Sequence, residues 1–372
     1  MAKRVLITGG AGFVGSHLAD ELLERGYEVR ALDNLSEQVH GPKLDRPGYL
    51  ADGVDLMIGD VRNPDAVSRA LVGIDAVYHM AAAVGVGQSM YRVADYTDVN
   101  CVGTGSLLEG LAKHRVERLI VASSMSIYGE GLCSNADNSV CEGARRRPEQ
   151  LRAGDWELRN AAGEGLRPRP TPETKVPVLE SVYALTKHAQ ERLCMMVGSS
   201  YGIPTVALRF FNIYGTRQAL SNPYTGVLAI FATRLLNDRR PLVYEDGRQR
   251  RDFVSVKDVA RACVLALESP GAPGGVFNIG SGKARTIQHV ATELAAALGK
   301  PSIRPELTGE YRVGDIRHCY ADIDRARRQL GFEPEVEFAD GLADLAGWLD
   351  AQVAVDRVSQ ARRELASRGL TL

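Results

Sequence analysis

The sequence predicts an α/β fold in which a doubly wound parallel sheet is followed by a smaller C-terminal α/β lobe. Apolar strands alternate with amphipathic helices up to about residue 129, which is typical of a parallel sheet covered by helices on both faces. The pattern changes at about residue 207. We therefore predict a sheet domain over 1–206 with an insertion at about 131–176, a second lobe over 207–338 partly interleaved with the first, and a helical tail over 339–372.

A glycine-rich turn follows the first predicted strand, the apolar run Val5 to Ile7. Gly9, Gly12 and Gly15 have G-x-x-G-x-x-G spacing and lead into a helix with a leucine stripe. A strand, a glycine turn and a helix start aim backbone N–H groups and the helix dipole at one point, which makes a pyrophosphate site. Glycine is needed because a Cβ would block the ligand and the tight turn. We therefore predict a Rossmann-type sheet whose turn binds a dinucleotide through Gly9, Gly12, Phe13 and Val14.

An acidic residue ends the second predicted strand. Asp33 lies 18 residues after Gly15, directly after the apolar segment 28–32. A carboxylate here accepts hydrogen bonds from the adenosine ribose and repels a 2′-phosphate, so it favours NAD over NADP. The alternative is an ordinary βαβ loop without a ligand, which does not account for strand, glycines, helix and acid in one register. We predict that Asp33 and Asn34 contact NAD.

A tyrosine and a lysine four residues apart are the candidates for the chemistry. Tyr183 and Lys187 share one face of a predicted helix. A free tyrosine has a pKa of about 10, and a nearby ammonium together with a bound nicotinamide cation would lower it. Ser124, which follows the strand at 118–121, can hydrogen-bond the reacting oxygen. Alone, such a Tyr–Lys pair is usually a solvated helix face, but the glycine turn and the serine favour a catalytic role for all three residues.

Further motifs follow in order along the chain. They are 59–62, 77–83, Asn100, 208–215, 251–254 and 311–315. With these motifs the chain resembles the extended short-chain dehydrogenase/reductase superfamily from about residue 3 to about residue 338. Within that superfamily it resembles the NAD-dependent nucleotide-sugar epimerase/dehydratase family, with members such as UDP-glucose 4-epimerase and dTDP-L-rhamnose 4-epimerase.

The resemblance implies contacts for the cofactor and for a nucleotide-sugar substrate bound largely by the second lobe. The implied cofactor contacts are Asp60, Val61, Ala81, Ala82, Ala83, Asn100, Ser123, Tyr183, Lys187 and Phe210. The implied substrate contacts are Val84, Ser124, Ser126, Asn212, Arg217, Asn222, Arg251, Arg312 and Asp315. Asp60 has an alternative role as a helix cap, and Arg217 and Asn222 could instead bond their own loop. Arg251 is the best phosphate candidate, because a guanidinium forks onto phosphate oxygens.

The residues after Ser124 bear on the reaction. In the 4,6-dehydratases that the chain resembles, an Asp-Glu pair follows the equivalent residue, and in the decarboxylases a Glu stands second, because elimination needs an extra acid–base group. This chain has Met125 and Ser126 there. The resemblance therefore implies a 4-epimerase that inverts C4 of a UDP- or dTDP-hexose through a transient 4-keto sugar. A 4-ketosugar reductase, a dehydratase or decarboxylase, and a non-enzymatic NAD-sensing regulator stay open as alternatives.

The insertion at about 131–176 separates Ser124 from Tyr183 more widely than in most relatives. It resembles an insertion in a subgroup of bacterial nucleotide-sugar 4-epimerases. We predict a surface excursion that covers the sugar pocket, since long ordered loops are often lids or binding loops. Cys133 and Cys141 are only two thiols and cannot complete a tetrahedral zinc site, so we predict no metal.

Composition limits the partners. The net charge of −1 gives no electrostatic case for nucleic acid or a membrane surface, and no apolar run approaches a membrane span. Residues 1–4 lead directly into the first strand, which predicts no signal peptide, and scattered cysteines predict reduced thiols, so we expect a cytoplasmic protein. By resemblance, helices at about 98–114 and 183–199 would form a homodimer interface. The tail at 339–372 would serve packing or oligomer contact.

Overall fold

The computed structural model describes residues 3–42, 45–224 and 226–371. The strands are β1 (Arg4–Thr8), β2 (Glu28–Asp33), β3 (Val54–Ile58), β4 (Ala76–His79), β5 (Arg118–Ser124), β6 (Cys133–Ser134), β7 (Val140–Cys141), β8 (Arg167–Pro168), β9 (Thr205–Phe210), β10 (Asn212–Tyr214), β11 (Leu242–Val243), β12 (Arg250–Ser255), β13 (Val276–Ile279), β14 (Ala284–Thr286), β15 (Glu306–Leu307) and β16 (His318–Cys319).

The α-helices lie between and after these strands. They are α1 (Phe13–Glu24), α2 (Glu37–His40), α3 (Pro64–Ala70), α4 (Val86–Ser89), α5 (Val93–Thr97), α6 (Gly103–Lys113), α7 (Pro148–Arg152), α8 (Val182–Tyr201), α9 (Val227–Leu236), α10 (Val256–Glu268), α11 (Ile287–Ala297), α12 (Asp324–Leu330), α13 (Phe338–Leu349) and α14 (Val358–Ser367). A π-helical turn, Asp98–Val102, joins α5 to α6, and a 3-10 turn, Met125–Tyr128, follows β5. The signal-peptide expectation concerns in part residues 1 and 2, which lie outside the described residues.

The main sheet has the strand order β13-β9-β5-β4-β1-β2-β3, and all its pairings are parallel. Its strands are apolar on both faces because helices cover both faces. On β1, Val5 and Ile7 belong to the layer that contains Leu18 of α1. Leu6 belongs to the opposite layer, with Leu107 of α6. Burying one such side chain contributes roughly 1.5–3 kcal/mol. The predicted doubly wound Rossmann-type sheet is confirmed.

The smaller lobe has its own apolar core. Side chains of α9, α11 and α13 surround Tyr214 and Phe253. Strands β10, β12 and β14 form a small sheet beside this core, and β16 pairs with β12. Strand β13 follows these elements in the chain but pairs with β9 at the edge of the main sheet, and α10 packs against α1. The segment predicted as the second lobe is thus interleaved with the first.

The insertion folds into a small unit. Strands β7, β6 and β8 form a three-stranded antiparallel sheet over an apolar cluster of Cys133, Leu158 and Leu166. Across the described ranges, no helix combines the length and the apolar character needed to cross a bilayer.

Candidate active site

A cavity of about 1820 Å³ lies at the carboxyl ends of the parallel strands, between the main sheet and the smaller lobe. Ligands bind at this edge in doubly wound sheets, because strand ends and helix starts converge there. The cavity is lined by the glycine turn, by residues at the ends of β2, β4, β5 and β9, by the start of α8 and by the smaller lobe. All the predicted site residues except Asn100 line it.

The glycine turn packs tightly against the end of β4. Gly9 has a φ of +70°, and a Cβ there would lie 2.9 Å from the backbone nitrogen of Ala81. A Cβ on Gly15 would lie 2.4 Å from the carbonyl oxygen of Gly9, so only glycine lets α1 approach the turn this closely. Gly12 precedes α1 and donates its N–H to the Gly9 carbonyl (3.2 Å). The turn therefore presents the N-terminus of α1 to the cavity, which fits a dinucleotide pyrophosphate.

Asp33 supports the glycine turn as well as lining the cavity. Its carboxylate accepts the backbone N–H groups of Ala11 (3.0 Å) and Leu35 (2.9 Å). One carboxylate thus links the turn after β1 to the loop after β2. The predicted ribose contact and this supporting role are compatible, because a carboxylate can accept several hydrogen bonds.

Asp60 lies beside Asn34 at the same end of the cavity. It accepts a hydrogen bond from the Asn34 amide (2.9 Å) and several from Arg62, and the Arg62 bonds are the main reason that the pKa of Asp60 falls to about 2. The cap of α3 is Asn63, whose side chain accepts two N–H groups of the first helical turn. The alternative role of Asp60 as the helix cap is therefore wrong.

Asn100 lies behind the cavity wall. It is fully buried, and its side chain accepts the N–H of Ala83 (2.7 Å) and donates to the Ala83 carbonyl (3.1 Å) and to Thr186 Oγ1 (3.0 Å). These bonds hold the segment after β4 against α8. In the structure Asn100 positions Ala83, which lines the cavity, and its own contact with the cofactor stays a prediction.

The three predicted catalytic residues come from two elements. Ser124 ends β5, and Tyr183 and Lys187 lie in the first two turns of α8. Ser181 caps α8 by accepting the N–H of Ala184 (3.1 Å), which fixes where the helix starts. Since Ser124, Tyr183 and Lys187 all line the cavity, the sheet edge brings together residues that are far apart in the chain.

Burial dominates the electrostatics at Tyr183 and Lys187. Burial raises the pKa of Tyr183, and its hydrogen bond with Ser124 opposes this rise. The Lys187 ammonium donates to Gln190 Oε1 (2.6 Å), and burial lowers the pKa of Lys187 to about 8. In the protein alone, burial is therefore the larger influence on the Tyr183 pKa. The lowering of this pKa by Lys187 together with a bound nicotinamide cation stays a prediction.

A buried polar network that the sequence analysis missed supports Lys187. Gln190 donates to Thr104 Oγ1 (3.0 Å), and the ring nitrogens of His79 lie 2.8 Å from Thr8 Oγ1 and 2.8 Å from Thr104 Oγ1. Burial lowers the pKa of His79 to about 3, so this ring is neutral. The spacing of Lys187 and Gln190 along α8 could have indicated a pair, but their partners come from other elements.

Four buried oxygen atoms of cavity-lining residues have no hydrogen-bond partner within the described ranges. They are Ser126 Oγ, Asn212 Oδ1, Gln218 Oε1 and Gln249 Oε1. Buried polar atoms are rarely left unpaired, so each of these four, which has almost no accessible surface, is a candidate to turn toward a ligand hydroxyl group or a water molecule. Ser126 and Asn212 were predicted. Gln218 and Gln249 were missed, since a glutamine in a loop gives no signal in the sequence.

The predicted phosphate and ribose contacts already have protein partners. Arg251 donates to the carbonyls of Ile316 (2.5 Å) and Arg317 (3.0 Å). Arg312 and Asp315, predicted as separate contacts to diphosphate and ribose, form an ion pair with each other (2.8 Å). The arginines are therefore held in fixed positions at the cavity wall.

Arg217 and Asn222 line the same wall. Arg217 forms an ion pair with Asp20 of α1 (2.7 Å), so it bridges the lobe to the main sheet domain. Asn222 accepts the N–H of Tyr224 (3.0 Å), which is the alternative of bonding its own loop. Both remain predicted substrate contacts, since each also lines the cavity.

The insertion does not cover the cavity, so the lid prediction is wrong. The cavity lining contains no residue from 131–176. Instead the insertion packs behind the lobe, where the buried Arg146 donates to Glu130 (3.0 Å), to Glu245 (2.7 Å) and to the carbonyl of Asp315 (3.1 Å). Within the described ranges no three His, Cys, Asp or Glu side chains converge on a common point, and the absence of a metal stays a prediction.

The C-terminal tail does more than the predicted packing or oligomer contact. The cavity is lined by residues of α13, of α14 and of the segment between them. They are Trp348, Gln352, Val353, Arg357, Val358, Ala361, Arg362 and Leu365. The tail is thus part of the site, which no local motif of the sequence indicated.

The fold and the site together define an NAD-dependent enzyme of the Rossmann class. The glycine turn fits the cofactor pyrophosphate, and Asp33 lies where the adenosine ribose is bound in such sheets. The chain belongs to the NAD dependent epimerase/dehydratase family, whose model matches residues 5–151 and 159–280.

Individual relatives agree with this family. The chain is 34% identical over 357 residues to the dTDP-L-rhamnose 4-epimerase of Burkholderia thailandensis, covering 93% of this chain and 95% of that one. It is similar to the UDP-glucose 4-epimerase of Thermotoga maritima solved with UDP-glucose, at 29% identity and a TM-score of 0.74, covering 93% and 98% of the two chains. The Thermus thermophilus UDP-glucose 4-epimerase in complex with NAD gives 32% identity and a TM-score of 0.73, covering 94% and 100%.

Proposed function

We propose that the protein is a nucleotide-sugar 4-epimerase that inverts C4 of a UDP- or dTDP-hexose through a transient 4-keto sugar. The observation that carries the proposal is the cavity wall at the end of β5, where Ser124, Tyr183 and Lys187 are accompanied by Met125 and Ser126. Neither residue after Ser124 is an acid or a base, so this position has no group suited to eliminating water. The 4-epimerases among the relatives support the same choice.

The cofactor-binding residues, Tyr183 and Ser124 have separate roles in the proposed reaction. When bound, NAD supplies the hydride acceptor and donor, held by the glycine turn, by Asp33 and by Lys187. Tyr183 Oη takes the proton of the C4 hydroxyl as general base and later returns it. Ser124 Oγ hydrogen-bonds the same oxygen and keeps it in line with Tyr183.

The opposite wall suits the nucleotide sugar. Arg251 and Arg312 provide fixed positive charge for a diphosphate. The oxygens of Ser126, Asn212, Gln218 and Gln249, which have no partner among the described residues, are acceptors that can turn toward the sugar hydroxyl groups. The segment 84–89 carries no charged side chain, which favours a neutral hexose over a sugar carboxylate.

One observation favours a second candidate, a 4,6-dehydratase. Glu180 lines the cavity three residues before Tyr183 and forms an ion pair with Arg145 of the insertion (3.3 Å). This carboxylate could supply the acid–base group that the residues after Ser124 lack. A 4-ketosugar reductase uses the same Ser–Tyr–Lys set and differs only in taking its reduced cofactor from solution.

We also propose a homodimer through α8 and the helical segment at 98–113. The large apolar side chains of Val102, Leu185 and Met196 on these helices are each more than half exposed. A second copy of the chain would remove them from water. Light scattering on the purified protein tests this, and a monomer would refute it.

The activity test uses purified protein without added cofactor. UDP-glucose, UDP-glucuronate, UDP-N-acetylglucosamine and dTDP-rhamnose are supplied separately, and proton NMR reports the product. The 4-epimer of any one supports the proposal. A 4-keto-6-deoxy product would establish the dehydratase, and turnover of a 4-keto sugar only with added NADH or NADPH would establish the reductase.

Tyr183→Phe tests the assignment of the base. We expect this variant to lose about 10²–10⁴-fold in turnover, the usual contribution of a general base, while still binding NAD. Tyr201→Phe, at the exposed end of the same helix, is the matched control and should keep full activity. Equal activity of the two variants would contradict the mechanism.

A further inference from the structure

We propose that residues 350–371, here named the C-terminal strap, form the wall that retains the oxidised sugar, with Glu364 and Arg362 as the positioning residues that hold it closed. The inference rests on the proposed epimerase function. It concerns a part of the site that contains none of the sequence motifs and lies outside the glycine turn that is proposed to bind the cofactor.

The strap presents apolar side chains to the cavity. Ala361 and Leu365 lie one turn apart on α14, are 7% and 5% exposed, and line the cavity. The Leu365 side chain lies 3.4 Å from where a Cβ on Gly87 would be, so α14 rests on the segment 84–89, which contains α4. That segment follows Ala83 at the catalytic end of the cavity. The strap therefore covers the part of the cavity proposed to hold the sugar.

One side of the strap is attached through Glu364. Its Oε2 accepts hydrogen bonds from Tyr224 Oη (2.7 Å) and Tyr91 Oη (2.9 Å), and the two hydroxyls lie 2.6 Å apart. The Arg368 guanidinium lies 4.4 Å from the centre of the Tyr91 ring. These bonds lower the pKa of Glu364, so the carboxylate is ionised at neutral pH. Tyr91 follows α4 and Tyr224 belongs to the lobe, so this attachment joins both parts of the protein.

The other side of the strap is attached to the segment that carries Arg312. Arg362 forms a forked ion pair with Glu310. The N–H of Val313 donates to the carbonyl of Leu370 (3.0 Å), and Arg312 forms a strand-like bridge with Thr371. The strap thus spans the cavity between the segment 84–89 and the proposed diphosphate contacts.

The proposed reaction needs such a wall. Oxidation removes hydride from C4 to NAD and the hydroxyl proton to Tyr183, and the neutral 4-keto sugar must then turn before hydride returns to its other face. If the 4-keto nucleotide sugar leaves first, the enzyme keeps NADH and cannot begin a new cycle. Attachments made by partly exposed ion pairs and hydroxyls are individually weak, so the strap can still open for substrate and product.

The test compares Arg362→Ala and Glu364→Ala with Arg363→Ala in the NAD-loaded full-length enzyme. Arg363 is the neighbouring arginine on α14 and is exposed, so its replacement is a matched control. We expect each strap variant to complete about two- to fivefold fewer turnovers before inactivation, the effect of losing one partly exposed charged contact. Reduced nicotinamide should accumulate on the enzyme, free 4-keto sugar should appear in solution, and added 4-keto sugar should restore activity. The number of turnovers completed by Arg362→Lys should lie between those of the wild type and Arg362→Ala.

Several outcomes would overturn the proposal. Equal turnover numbers for Arg362→Ala, Glu364→Ala and Arg363→Ala would show that the strap does not retain the sugar. Loss of activity without bound NADH or free 4-keto sugar would show a merely structural role. The dissociation rates of UDP and dTDP are measured in parallel, with faster release expected from the strap variants. If wild-type enzyme converts no nucleotide sugar, the proposed function fails, and these rates still decide whether the strap closes the cavity.

Discussion

Replacing Arg146 with methionine tests how the insertion supports the substrate wall. The Arg146 side chain is 2% exposed and forms ion pairs with Glu130 and Glu245, whose side chains are 14% and 2% exposed. It also donates to the Asp315 carbonyl and lies 5.3 Å from the centre of the Tyr311 ring. Methionine keeps much of the side-chain volume but leaves both carboxylates without this partner.

The expected loss of stability follows from what each carboxylate retains. Removing one partner of a buried ion pair costs about 3–5 kcal/mol, because an uncompensated charge stays buried. Glu245 keeps its ion pair with Arg317 (2.8 Å), and Glu130 keeps the N–H groups of Arg317 and His318. We therefore expect the lower end of the range, about 3 kcal/mol. We also expect a higher KM for the nucleotide sugar, since the segment with Arg312 and Asp315 loses its support.

Urea unfolding of Arg146→Met and Arg159→Met measures this difference. Arg159 lies in the same insertion but pairs with Asp155 at the surface, so its replacement should lower the free energy of unfolding by less than about 1 kcal/mol. Adding Glu130→Gln to Arg146→Met should recover part of the loss, because one unpaired carboxylate is then removed. A loss for Arg146→Met as small as that for Arg159→Met would refute the reasoning.

Two further predictions concern the glycine turn and the buried polar network around His79. Gly15→Ala should weaken NAD binding at least about tenfold by calorimetry, because its Cβ would lie 2.4 Å from the Gly9 carbonyl oxygen, whereas Gly105→Ala on α6 meets open space and should bind normally. Burial lowers the pKa of His79 from 6.5 to about 3, so the unfolded chain binds the extra proton between these values and stability falls as the pH falls through that window. Between pH 7 and pH 5, the free energy of unfolding measured in urea should fall by about 2 kcal/mol more for the wild type than for His79→Gln. An equal fall for the two proteins would contradict a neutral buried ring.

The sequence by itself determined the cofactor half of the site. The glycine turn, Asp33, Ser124, Tyr183 and Lys187 all line the cavity as expected. Each of these residues was predicted from a local sequence pattern. The patterns are a residue at a strand end, glycines between a strand and a helix, and a four-residue spacing on a helix. Parallel strands place all their carboxyl ends at one edge, so these local signals are enough to bring the residues together.

Only the tertiary structure decided the substrate half and the place of one predicted cofactor residue, Asn100. Whether Asn100 faces the ligand or its supporting loop depends on the approach of α8. Whether the insertion covers the cavity or packs behind it depends on where Arg146 finds Glu245, and the place of the tail depends on Glu364 meeting Tyr91 and Tyr224. These contacts join residues about a hundred or more positions apart through single hydrogen bonds and ion pairs. Such pairings leave no periodicity or spacing in the sequence, because their partners are chosen by the packing of whole elements.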